Sequence, residues 1–141
     1  MAYGLAILAS ATALALTPSA ATARATYQVW GITYGDCYDA DGWYEWTADG
    51  SAGGYPKYDT DGVITVAPWA NCDSWIDSAV LLYSGKKWQN GSWTTIGWKK
   101  PPSYGDEFET DYELKFNDVR DIRFKVCNVH DGITDGCDSV S

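Results

Sequence analysis

The sequence predicts an all-β domain: a small, disulfide-stapled antiparallel β-sandwich or barrel built from hairpins. Three observations point there. Turn signals are dense, with Asp-Gly at 41–42, 49–50, 61–62, 131–132 and 135–136 and Asn-Gly at 90–91, and short β-branched and aromatic runs lie between them. The chain holds 8 Trp, 10 Tyr and 3 Phe, so flat rings with polar tips supply much of its apolar surface. Its cysteines, Cys37, Cys72, Cys127 and Cys137, form an even set behind an export leader, the pattern of two disulfides.

The leader is the first element. From Leu5 to Ala20 the chain is small, apolar and uncharged, and it then reaches two overlapping small-x-small sites, Ala21-Thr22-Ala23 and Ala23-Arg24-Ala25. The run is too short and too rich in Ala and Thr to span a bilayer. Residues 1–25 therefore read as a cleaved secretory signal peptide, and 26–141 as one secreted, extracellular β domain. One feature departs from the usual leader: no Lys or Arg precedes the apolar run. The net charge of −9 repels nucleic acid and anionic lipid surfaces, so neither nucleic acid nor a membrane is expected as a partner.

Within the domain, Trp43-Tyr44-Glu45-Trp46 alternates, with Trp43 and Glu45 on one strand face and Tyr44 and Trp46 on the other. Residues 47–62 are rich in Gly and Asp and read as a long loop. Trp75, Ile76, Ala79, Val80 and Tyr83 could share a helix face, with Asp73 as N-cap and Gly85 as stop, but Ala79–Tyr83 runs straight into a hairpin signal and strand is preferred. Asn90-Gly91 is the favoured pair for a type I′ turn. It pairs Gln89 with Ser92, Trp88 with Trp93, Lys86 with Thr95 and Tyr83 with Trp98. Trp88 and Trp93 fall where side chains come closest. Their face continues with polar Lys86, Ser84 and Thr95 and so points outward, while Tyr83, Ile96 and Trp98 look like core.

A last hairpin is expected between the acidic run and the segment ending at Cys127. One register sets Leu114 against Ile122, Tyr112 against Phe124 and Thr110 against Val126 on an apolar face. The other face then pairs Lys115 with Asp121, Glu113 with Arg123 and Asp111 with Lys125, an ion-pair ladder that accounts for two of the carboxylates Glu107, Glu109, Asp111 and Glu113 without metal or acid–base work. In that register Cys127 faces solvent. Of the three disulfide connectivities, Cys37–Cys72 with Cys127–Cys137 is preferred, because the segment joining the last pair holds two Asp-Gly turns. Closing so short a loop adds roughly 2–3 kcal/mol.

For function, an outward Trp88–Trp93 pair beside Lys86 and Thr95 suits a platform for sugar rings, extended by Trp69 and Trp75 or by the 43–46 run. Against it stands the tendency of Trp to be buried, by which the pair clamps its own hairpin or packs under a second sheet. Asp39-Ala40-Asp41-Gly42 and Asp59-Thr60-Asp61-Gly62 resemble fragments of a calcium loop. The position that needs a bidentate carboxylate is Ala48 in one and Pro68 in the other, so neither is an EF-hand. Convergence of Asp39, Asp41, Asp49, Asp59 and Asp61 on one cation is the residual metal reading. The cysteines lack Cys-x-x-Cys spacing and His130 is the sole histidine, so no zinc, other metal or cofactor is expected.

His130 would need a carboxylate such as Glu45 or Glu107 to act in a small hydrolase. No Gly-x-Ser-x-Gly, His-Glu-x-x-His or Gly-rich phosphate loop is present, and a turn residue between two cysteines is the simpler reading. The layout resembles that of many small exported bacterial domains, a likeness of architecture that implies no activity. The expectation is a non-enzymatic domain that binds a polysaccharide or cell-wall glycan through surface Trp. An extracellular protein partner, as for an inhibitor or competition factor using the 47–62 segment, is the alternative, and a hydrolase using His130 the second.

Overall fold

Runs of alternating aromatic, β-branched and polar residues form nine strands in a computed structural model that describes residues 23–69, 72, 76–106 and 108–141. They are β1 Arg24–Ile32, β2 Tyr38–Ala52, β3 Tyr55–Pro68, β4 Ser78–Gln89, β5 Ser92–Lys99, β6 Ser103–Gly105, β7 Thr110–Glu113, β8 Phe116–His130 and β9 Ile133–Val140. No helix occurs among the described residues. Every pairing is antiparallel, and one sheet runs β1-β2-β3-β8-β4-β5, with β9 on β8 and the β6-β7 pair on β3. The sheet curls so that β1 and the segment after it reach the C-terminal strand β9 and the residue that follows it. Trp30 N donates to the Ser141 carbonyl at 3.2 Å, Ser141 N returns a bond to Trp30 at 3.1 Å, and Tyr34 N reaches the Gly136 carbonyl at 3.0 Å.

The curl is permitted by residues that look like turn signals. A Cβ on Gly42 would stand 2.2 Å from the Val63 carbonyl oxygen, and one on Gly62 would stand 2.4 Å from that of Trp43. Asp41-Gly42 and Asp61-Gly62 thus lie in mid-strand where two backbones approach too closely for any side chain. On the concave side Val29, Ala40, Ile64, Val66, Leu81, Tyr112, Leu114, Phe124, Val126 and Val140 form the core.

Segment 47–62 is a hairpin and not a loop. β2 and β3 pair from Tyr38↔Pro68 to Ala52↔Tyr55, and Asp49-Gly50 falls in a bulge between Ala48 and Ser51. The turn is Gly53-Gly54, both at positive φ. Trp46 meets Tyr58 edge-on across the strands at 4.3 Å, a cross-strand contact that outweighs the poor strand propensity of Gly and Asp.

The 110–126 hairpin is not formed either. β7 pairs with β3, with Tyr112 opposite Ile64 and Asp111 opposite Thr65, and Asp111 Oδ1 accepts from Thr65 Oγ1 at 2.6 Å. The chain continues along β3, then crosses to β4, where Phe124 pairs with Tyr83. The inward alternation of Tyr112, Leu114, Phe124 and Val126 holds, but no glycine turn lies between them to fold the strand back. Cys127 is consequently fully buried and not on a solvent face.

The Asn90-Gly91 hairpin keeps its expected register from Gln89↔Ser92 to Lys86↔Thr95, then slips at Gly85, so that Tyr83 meets Lys99 in place of Trp98. Tyr83 stacks on Phe116 at 4.3 Å, whereas Trp98 stays exposed beneath the Lys125 ammonium, 4.5 Å from its ring centre. The 73–85 question resolves to strand β4 over its described part; Asp73 and Trp75 lie outside the described residues, as do Glu107 and residues 1–22, while Arg24 and Ala25, the last two residues of the segment expected to be a leader, belong to β1. Both preferred disulfides are present, with Cα separations of 4.6 Å for Cys37–Cys72 and 3.9 Å for Cys127–Cys137. Two disulfides fit an oxidising, extracellular-type environment.

Candidate functional site

Alternation along β2 and β3 turns Tyr44, Trp46, Tyr58 and Thr60 toward the concave side. β8 bends away from β3 near Asp118 and Asp121, whose φ angles of 58° and 54° are left-handed. Between the β2–β3 hairpin and that bend lies a cleft of about 510 Å³, lined by these four residues with Tyr55, Pro56, Val119, Arg120, Asp121 and Ile122. Its rings are contiguous. Tyr27 stacks on Tyr44 at 5.6 Å and lies 5.9 Å from Trp46, while Tyr44 meets Phe124 edge-on at 5.3 Å. Burial, with Tyr27 adding to it, raises the Tyr44 phenol above its ordinary pKa, so it stays a neutral donor and acceptor at physiological pH. Trp46 Nε1 is buried with no hydrogen-bond partner among the described residues. A second cavity of about 400 Å³ shares Tyr44 and Ile122 with the first and continues toward Tyr27, Phe124 and Val140.

Arg120 stands at the cleft's edge. Its guanidinium carbon lies 3.8 Å from the Tyr55 ring centre and 4.9 Å from that of Trp93, and its Nε is 3.4 Å from Asp121 Oδ2.

The expected platform residues sit beside this cleft. Trp88 and Trp93 meet edge to face, with ring centres 5.5 Å apart at 64°, and both are half-buried. Trp93 Nε1 donates to the Ala52 carbonyl at 2.9 Å, and a Cβ on Gly53 would touch the Trp88 ring at 2.9 Å. The pair therefore packs against the tip of the β2–β3 hairpin. Lys86 and Thr95 are brought together, lining with Trp98 and Arg123 a groove of about 350 Å³. Trp69 is exposed beside Cys37, its amide bonded to the Cys37 carbonyl at 2.9 Å.

Of the aspartates weighed for a cation, the structure gathers Asp49 and Asp59 with Asp118, and leaves Asp39, Asp41 and Asp61 elsewhere on the strands. The Lys57 ammonium hydrogen-bonds both Asp49 and Asp118, and Asp59 Oδ1 accepts the Asp118 amide at 3.0 Å. One ammonium thus offsets one of the trio's three negative charges. His130 ends β8, with Nε2 2.8 Å from Asp135 Oδ2. Glu45, one of the carboxylates weighed as its partner, is instead hydrogen-bonded by Arg24 and Thr26.

Sequence reading missed Tyr55, Tyr58 and Arg120. Treating 47–62 as loop hid the two tyrosines. Arg120 carries no motif, and only the bend of β8 brings it to the cleft. Searches of protein-family models, curated proteins and solved structures find no match for this chain.

Proposed function

We propose that this is an exported, non-enzymatic domain that binds a polysaccharide or cell-wall glycan, with sugar rings held in the aromatic cleft. The observation that supports this reading is the cleft itself: a cavity within the size range of ligand sites, walled by Tyr44, Trp46, Tyr55 and Tyr58. Aromatic faces stack on the C–H face of a pyranose, while phenol and indole tips exchange hydrogen bonds with its hydroxyls. Trp46 Nε1, unpartnered, supplies one such donor. Trp88 and Trp93 then act mainly as the brace that holds the β2–β3 hairpin over the cleft, and the sugar contact passes to the neighbouring rings.

The test is retention of the domain on insoluble chitin, cellulose, peptidoglycan and cross-linked polygalacturonate, with tryptophan emission read in parallel. Retention on at least one of them with a blue shift is expected. Tyr55→Ala, at a ring 52 % exposed, should lose that retention while the thermal midpoint stays within about 3 °C of the parent, as befits a surface substitution. Full recovery in the supernatant from all four, or a Tyr55→Ala variant retained as well as the parent, defeats the reading and turns attention to an extracellular protein partner.

A further inference from the structure

Arg120 is the one cation among the described residues that line the cleft, and its buried Nε has no hydrogen-bond acceptor among them. Its side chain is only 12 % exposed. The guanidinium makes no hydrogen bond among the described residues, and its Nε is buried without a partner. Asp121 is its nearest carboxylate, at 3.4 Å, close enough for attraction and too far for a good hydrogen bond. Withdrawing a guanidinium from water is costly unless acceptors replace the lost hydration. Elsewhere the chain supplies them: Arg24 is bonded by Glu45, and Lys57 by Asp49 and Asp118. At Arg120 the chain supplies two aromatic faces instead.

Those faces define what is missing. The Tyr55 and Trp93 ring centres lie 3.8 and 4.9 Å from the guanidinium carbon, and neither ring offers an oxygen to its N–H fork, whose geometry matches a carboxylate. A phosphate dianion matches the fork too, but Asp121, 3.4 Å from Arg120 Nε, opposes a second negative charge at this point, where a carboxylate places only one. We infer that the sugar held in this cleft carries a carboxylate, as a uronic acid does, and that Arg120 is the residue that selects it. This inference rests on the carbohydrate reading above. It adds that neutral glycans are the poorer ligands.

The experiment compares uronate oligomers with their methyl esters, which keep the ring and linkage and remove the charge. Oligomers of galacturonate, glucuronate and mannuronate, each as acid and ester, are titrated calorimetrically into the unaltered protein. In at least one pair the acid should bind ~30-fold tighter, the scale of a charge-assisted hydrogen bond. Arg120→Gln should bring the acid down to the ester's affinity and leave the ester unchanged, whereas Tyr55→Ala should weaken both. Equal binding of acid and ester in all three pairs, or binding of none of the acids, overturns the inference. If neutral glycans are retained in that case, the carbohydrate reading stands alone; if no glycan of either panel binds, both fall. The acid–ester comparison needs no variant, so misfolding of Arg120→Gln cannot obscure it.

Discussion

At the scale of single residues, the molecule turns on where two indoles point their polar and apolar edges. Trp88 and Trp93 are brought together by Asn90-Gly91, whose φ angles of 52° and 76° close the hairpin. The bond from Trp93 Nε1 to the Ala52 carbonyl then ties this hairpin to the tip of the next. Trp93→Phe keeps a ring in place and removes that donor, leaving a carbonyl at a crowded contact. The expected loss is about 1–2 kcal/mol, read from the urea midpoint. An unchanged midpoint means the bond adds nothing beyond the ring contact. The Trp–Trp pairing was legible in the sequence because a type I′ turn fixes its neighbours' register. What covers the pair was not, since Ala52 and Gly53 are distant in sequence and carry no signature of the rings they meet.

The same division runs through the elements. Alternation told correctly which side chains of 110–126 face the core, and wrongly which strand they pair with, because a period of two specifies a face and says nothing of the neighbour. The ion pairs that made the hairpin attractive are surface interactions of small magnitude. The continuous run of β7 and β8 along β3 is instead secured by a buried hydroxyl. Thr60 Oγ1 donates to the Leu114 carbonyl at 3.0 Å and accepts the Phe116 amide at 3.1 Å, at the point where the β3–β8 register shifts. It replaces two ladder bonds with one side chain. Thr60→Val conserves shape and orphans both backbone groups in a site 8 % exposed, which should cost about 1–3 kcal/mol of unfolding free energy in denaturant titration. Full stability in that variant means that β7 and β8 are held by their apolar face alone. The cleft was legible only in part for the same reason: Tyr44 and Trp46 followed from alternation, while Arg120 is placed by the bend at Asp118 and Asp121, for which the sequence has no glycine marker.

For the whole molecule, the charge and ring inventory makes the two ends of the pH scale unequal. On the acid side the effects oppose one another. Glu45, bonded first by Arg24 in the uncleaved chain, and Asp106, bonded by the Glu109 and Phe108 amides, are held below the usual carboxylate range. Their contributions are present above the unfolded carboxylate values of ~4 and fade as pH falls through the lower folded values. Burial, with Asp41 nearby, raises Asp39, so the fold binds its proton more readily than the unfolded chain does, and its share moves the other way. On the alkaline side the signs agree. Burial raises Tyr38, Tyr44 and Tyr112, and bonding to Asp118 and then Asp49 raises Lys57. In each case the folded state keeps a proton that the unfolded chain releases above pH ~10, so all four remove stability as pH rises from there. Added negative charge on a chain already at −9 works in the same direction. Thermal midpoints followed by circular dichroism should therefore be nearly flat from pH 6 to 9 and fall steeply above ~10, together with a late rise in tyrosinate absorbance. Lys57→Met should flatten that alkaline fall, because one of its four causes is gone. A midpoint that drops as much between pH 5 and 3 as above pH 10 contradicts the sign assignment, and an unchanged alkaline limb in Lys57→Met removes the lysine from it.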